Sequence, residues 1–201
     1  MCKNIVLLIV ITLFIFSPLV AAEKINLELE YLEYKKDHMK FKENIIYKGD
    51  IKISSKSGEY YEDQKKMILK NNVELISKNY KISSLNMKSF LKENKYIFTN
   101  NVIVKNINKE NKDFNLKTEE FVYNSNSGNF TGNKDIKLEV DNRKITGEKI
   151  NYIKEKDEMI ISNNVKIKNE NNEIDTEEIT IYLNKNNSFK TKGKTKIEID
   201  I

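Results

Sequence analysis

The chain has 201 residues, 35 basic and 30 acidic, for a formal net charge of +5. That length fits one domain with a core large enough to hold without staples. With Cys2 the only cysteine and His38 the only histidine, there can be no internal disulfide and no multi-histidine metal site. A Ser-His-Asp array beyond His38 is also excluded, so neither a cofactor nor catalysis is expected. The positive charge is almost entirely lysine, Arg143 being the lone arginine, and it is spread among the acids along the whole chain. Nucleic-acid sites cluster such charge on one face and interleave aromatics, so no nucleic-acid partner is expected.

The N-terminus reads as an export signal. A short basic start, Met1 to Asn4, precedes an apolar stretch from Ile5 to Phe16, and Ser17 to Ala22 offers small residues for cleavage before Glu23. Pro18 and the Val20-Ala21-Ala22 ending favour cleavage after Ala22. The alternative is an uncleaved membrane anchor, since Ile5 to Ala22 is close to the roughly 20 residues a membrane helix needs. Residues 1–22 are thus signal or anchor, and 23–201 form the domain.

From residue 23 onward the chain repeats. The phrases Glu43-Asn44-Ile45, Asn71-Asn72-Val73, Asn100-Asn101-Val102, Lys134-Asp135-Ile136, Asn163-Asn164-Val165 and Gly193-Lys194-Thr195 end at steps of 28, 29, 34, 29 and 30 residues. A period of this size marks repeated supersecondary units. Six residues before each anchor stand Met39, Met67, Tyr96, Phe130, Met159 and Phe189; two after it stand Tyr47, Leu75, Val104, Leu138, Ile167 and Ile197. The even offsets are mainly apolar and the odd offsets mainly polar. This is the alternation of strands with one buried and one wet face.

A second phrase follows, apolar at its first, sixth and eighth positions and small or apolar at its third. It reads Leu27, Leu29, Leu32, Tyr34; then Tyr80, Ile82, Leu85, Met87; then Leu116, Thr118, Phe121, Tyr123; then Ile145, Gly147, Ile150, Tyr152; then Ile174, Thr176, Ile179, Ile181. A degenerate copy runs Ile53, Ser55, Gly58, Tyr60. The parity change between third and sixth positions predicts a bulge or corner there. Turns rich in Asn, Lys and Gly separate the phrases. Each unit is therefore two strands, and stacking about six units predicts an all-β, elongated two-sheet sandwich in which each strand pairs with its counterpart in the next unit.

A strand ending in Asn-Asn-Val, a turn, and then a phrase with a small third residue resembles the repeat of the OstA-like periplasmic proteins of lipopolysaccharide transport. In that family Gly-Asn-Val usually stands where Asn71-Asn72-Val73, Asn100-Asn101-Val102 and Asn163-Asn164-Val165 stand here. The resemblance covers residues 25–201 and implies a β-jellyroll whose apolar interior holds the acyl chains of lipopolysaccharide. It also implies a periplasmic location, bridge partners at the inner and outer membranes, and head-to-tail self-association. Cleavage at Ala22 points to the soluble bridge type; an anchored component of the same transporter is the alternative. The inward columns make Phe41, Leu69, Val73, Leu75, Phe98, Val102, Val104, Ile136, Leu138, Ile161, Val165 and Ile167 the lipid-binding candidates. In the last alternating run Ile197, Ile199 and Ile201 keep one face apolar, as association by strand addition requires.

Other motifs have simpler explanations. Glu119-Glu120 and Glu177-Glu178 fall at the mid-phrase corners and read as solvated, and His38 reads as a surface-turn residue. Gly193-Lys194-Thr195 lacks the first glycine of a P-loop, Ser188 standing in its place. A competing class remains, a structural β-solenoid scaffold or adhesin segment with the same repeats and no lipid.

Overall fold

The computed structural model describes residues 25–108, 113–169, 172–183 and 188–199; the signal or anchor segment lies outside them. The described chain is all β apart from two single 3-10 turns. Strands β1 (Ile25–Lys35), β2 (His38–Lys48), β3 (Ile51–Tyr61) and β4 (Lys66–Ile76) are followed by β5 (Tyr80–Phe90), the turn Leu91–Glu93 and β6 (Lys95–Asn106). Then come β7 (Phe114–Asn124), β8 (Phe130–Val140), β9 (Arg143–Ile153), the turn Lys154–Lys156, β10 (Glu158–Lys168) and β11 (Asn172–Tyr182). Two short strands end the described chain, β12 (Phe189–Lys192) and β13 (Lys196–Ile199). The long 34-residue step of the repeat is absorbed between Asn106 and Phe114, so the strands on either side keep their pattern.

Pairing differs from the sequence expectation. Each strand pairs antiparallel with its neighbour in sequence, β1 through β12 in order, with β13 also on β11. One meandering sheet, not two, supplies both layers, because the sheet is bent across the middle of its strands. Tyr80 shows the bend. The residue of β5 level with Tyr123 is Ser89, through Tyr96, so at about 3.3 Å per residue a flat sheet would hold Tyr80 and Tyr123 roughly 30 Å apart. Their ring centroids are 5.8 Å apart. The sheet is folded along a line across its strands, and the two halves of its apolar face meet.

The corner falls at the repeated Asn pairs. Asn71 and Asn72, Asn100 and Asn101, Lys134 and Asp135, and Asn163 and Asn164 all have φ between 53° and 67°, and the ladder shifts register across each pair. Asn and Asp tolerate this left-handed backbone better than other side chains. Even-numbered strands therefore step four residues between inward side chains, Leu69 to Val73 and Phe98 to Val102, and keep their parity. Odd-numbered strands step three, Thr118 to Phe121 and Thr176 to Ile179, which is the parity change read from the second phrase. The small third residue has a specific use here. Thr118 Oγ1 lies 2.8 and 2.9 Å from the Asn133 and Lys134 carbonyls, and Ser84 Oγ, Ser55 Oγ and Thr176 Oγ1 donate to the carbonyls of Asn86, Ser57 and Lys192. These hydroxyls satisfy carbonyls that the bulge takes out of the ladder. Where glycine stands on the inner face, a side chain has no room: a Cβ on Gly58 would lie 2.2 Å from the Phe41 ring.

Two phrases are shifted from their expected alignment. In β2 only Glu43 is left-handed, so the step from Phe41 is three residues and Asn44 and Ile46 face inward instead of Ile45 and Tyr47. Asn44 is held by the Ser55 carbonyl at 2.9 Å. In β5 the inward set is Ile82, Ser84, Met87 and Ser89, and Leu85 is exposed. His38 begins β2 instead of occupying a turn, stacked on Tyr61 and 3.4 Å from Glu59. Glu119 and Glu177 are exposed and Glu120 and Glu178 half-buried, paired with Lys134 at 2.5 Å and Lys192 at 3.6 Å.

The corner makes opposite demands on adjacent residues. Val102→Lys places a charge in the core and is expected to cost about 3–5 kcal/mol. Asn101→Gly is expected to change stability by less than about 0.5 kcal/mol, whereas Asn101→Val costs about 1–2 kcal/mol through the left-handed backbone alone. Denaturant melts of the three variants check the assignment; equal stabilities for the Gly and Val variants would contradict it.

Candidate functional site

All twelve candidates for the inner face, from Phe41 to Ile167, lie in the core at 3% exposure or less. Cross-strand neighbours fix them in layers, Leu69 beside Met87, Phe98 beside Phe121 and Val104 beside Leu116. The folded sheet has two margins of hairpin turns. On one, backbone hydrogen bonds join successive turns: Glu62 N–H to Asp37 O, Leu91 N–H to Lys65 O, Ser125 N–H to Asn94 O and Leu183 N–H to Asp157 O.

The margins meet along a seam, and the contacts across it are diagonal. Lys48, at the end of β2, donates to the Leu91 carbonyl at 2.9 Å and to the Asn94 side chain, between β5 and β6. Tyr80, at the start of β5, packs on Tyr123 and Phe130, both at 5.8 Å, and hydrogen-bonds Tyr152 of β9. Tyr152 in turn donates to Asp157 at 3.1 Å, so the shared proton between the phenols comes from Tyr80. Phe114 of β7 meets Phe130 at 6.2 Å, and the guanidinium of Arg143 sits 5.1 Å over the ring of Phe189. Together these contacts close the middle of the sandwich.

Among the described residues, a diagonal seam leaves each end of the sheet without a partner layer on one margin. At the N-terminal end the core-facing side chains of β1 are uncovered: Leu27 pairs with Ile46, Leu32 with Phe41 and Tyr34 with Met39, yet their exposures are 36%, 51% and 59%. Met39 and Tyr60 behind them are half-buried against the core. At the other end Ile197, paired with Ile174, is 58% exposed. Of the other edge candidates, Ile199 pairs through its backbone with Asn172, and Ile201 lies outside the described residues. Sequence alternation placed Leu27, Leu32 and Tyr34 on the inner face but carried no sign that the opposing layer stops short of them.

Comparisons with known proteins give a family match and a structural match. A family model described as lipopolysaccharide-assembly, LptC-related, matches residues 77–170, which contain β5 to β10. The crystal structure of LptH, the LptA-homologous periplasmic component of the lipopolysaccharide transport device of Pseudomonas aeruginosa, aligns with a TM-score of 0.47 at 14% identity, covering 51% of this chain and 75% of that one. No curated protein matches the chain.

The seam tyrosines set an alkaline limit. Burial raises the phenols of Tyr80 and Tyr123 above their usual value of 10, and pushes Tyr152 up to about 12. A phenol whose folded pKa is raised contributes its stability below the unfolded pKa and loses it as pH climbs toward the folded one. Stability is therefore expected to hold up to about pH 10 and to fall between about pH 10 and 12. Denaturant melts together with phenolate absorbance check this. Ionisation of every tyrosine near pH 10 with no loss of stability would contradict the seam.

Proposed function

We propose that the chain is a periplasmic carrier of lipopolysaccharide that receives acyl chains through its N-terminal mouth and works as one link of a bridge between the inner and outer membranes. The observation that carries this reading is the row Leu27, Leu32 and Tyr34, apolar, core-facing and open to solvent at one end of a continuous apolar interior. The LptC-related match over residues 77–170 supports the ligand class. Behind the mouth, Phe41, Leu69 and Phe98 begin the path that an acyl chain follows if the layers separate.

The energetics favour a conduit. A buried methylene is worth about 0.8 kcal/mol, so a chain of about a dozen carbons gains roughly 10 kcal/mol inside, and a bilayer offers about the same. Transfer between the two is near neutral, and net direction comes from an energy source on another protein. The soluble bridge is the favoured type, with a signal cleaved after Ala22; the anchored component of the same transporter is its alternative. Among the described residues no helix is long and apolar enough to cross a membrane. A second reading, a structural scaffold without lipid, is favoured by the filled interior.

Photo-crosslinkers at Leu32 and Tyr34 are expected to capture lipopolysaccharide in cells, with weaker capture at Leu75 and Phe98 and none at Glu33, which faces outward. Absence of lipid adducts at all four apolar positions in folded, exported protein would favour the scaffold.

The uncovered ends also support head-to-tail association, the β1 edge of one copy or bridge partner against the β12–β13 edge of another. Deleting residues 195–201 is expected to reduce this association in concentration-dependent light scattering while circular dichroism stays that of a β protein. Full-length protein that remains monomeric at high concentration and captures no partner in cells would count against it.

A further inference from the structure

The contacts that hold the seam differ along its length. In its centre the contacts are aromatic, Tyr80 with Tyr123 and Phe130, and Phe114 with Phe130. Nearest the open mouth the contact is polar. Lys48 is 4% exposed, and its ammonium reaches across from β2 to the Leu91 carbonyl and the Asn94 amide oxygen. Two residues before Leu91, on the inner face of β5, Ser89 is fully buried and its hydroxyl has no hydrogen-bond partner among the described residues. The matching inner-face positions of β3, β7 and β9 are Tyr60, Tyr123 and Tyr152. Where its counterparts are large rings, β5 thus has a small hydroxyl with unused hydrogen-bonding capacity, two residues before the carbonyl that Lys48 holds. A buried hydroxyl left in this state is costly unless something else uses it.

We propose that Lys48 is a latch on the seam that an anionic head group releases, the ammonium exchanging the Leu91 and Asn94 oxygens for an anionic oxygen while Ser89 donates to the carbonyl that joins head group to acyl chain. The exchange is favourable because a hydrogen bond between two charged groups is stronger than one to a neutral acceptor. Anion binding does not compete with the aromatic contacts, so the seam opens from its polar end and lengthens the mouth toward the core. This rests on the lipid-carrying reading above and adds the part of the lipid that is recognised. Lys48 selects the anion, and Ser89 the acyl linkage.

Two submicellar probes separate these roles, 1-dodecanoyl-glycerol 3-phosphate and 1-dodecanoyl-glycerol, which share the acyl ester and differ in the phosphate. Equilibrium dialysis of the full chain purified without detergent is expected to give roughly tenfold tighter binding of the phosphate probe, the order of one hydrogen bond to a charged group. Lys48→Met is expected to abolish that preference while retaining the neutral probe, and Ser89→Ala to weaken both probes equally. If Lys48→Met does not fold by circular dichroism, Asn94→Gly decides. It keeps the left-handed backbone of Asn94, at φ 51°, removes one latch acceptor, and is expected to raise affinity for both probes by roughly threefold. Wild-type protein that binds both probes equally, with neither the Lys48 nor the Asn94 variant changing this, overturns the latch and leaves lipid carriage standing. Wild-type protein that binds neither probe overturns both.

Discussion

The even-numbered long strands, β2 to β10, are turned through a corner by residues held in a left-handed backbone, and the rest of the molecule follows from that turn. A flat twelve-strand meander would leave its apolar face in water. Bent along one line, the same face closes on itself, and both layers of the core come from the same strands. The corner costs backbone strain and removes carbonyls from the ladder. Asn and Asp reduce the first cost, and the hydroxyls of Ser55, Ser84, Thr118 and Thr176 offset the second. The repeat is thus a repeat of corners as much as of strands.

Because the contacts across the seam are diagonal, closure and opening coexist in one sheet. Lys48 on Leu91, Tyr80 on Tyr123 and Phe130, and Arg143 on Phe189 seal the middle, while the margins beyond them meet no opposing strand among the described residues. The apolar side chains of β1 are exposed for this reason, although they belong to the core face by register. An interior that is closed along its length and open at its ends suits a carrier that passes an amphiphile lengthwise. The outer face plays a different part. Its lysines pair across strands with acids, Lys81 with Glu74 at 2.7 Å and Lys168 with Glu173 at 2.8 Å, so the scattered charge is a solvated surface.

The inner columns were legible in the sequence because parity is a local property. Val73, Val102, Ile136 and Val165 could be placed inside from spacing alone, since a four-residue corner step leaves parity unchanged. Reading failed where the corner differs. Glu43 is a single left-handed residue, which moves Asn44 and Ile46 inward, and in β5 the phrase begins at Ile82, two residues later than the spacing predicts, because Tyr80 is an extra apolar position ahead of it. Pairing between neighbours, instead of between counterparts, was not legible, because both arrangements bury the same columns. Nor was the mouth, which depends on where the opposite layer ends. The seam joins residues dozens of positions apart, and nothing local about Lys48 or Ser89 marks them as special.

Carriage of an acylated amphiphile is the claim on which the functional account stands, and mass spectrometry of lipid extracted from exported protein, purified natively without detergent, tests it most directly. The account predicts an acylated, phosphate-bearing amphiphile in near-stoichiometric amount, depleted when Leu32 and Tyr34 are replaced by glutamate in a protein that remains folded. Folded, exported wild-type protein that is free of lipid would contradict it and leave a structural scaffold in its place.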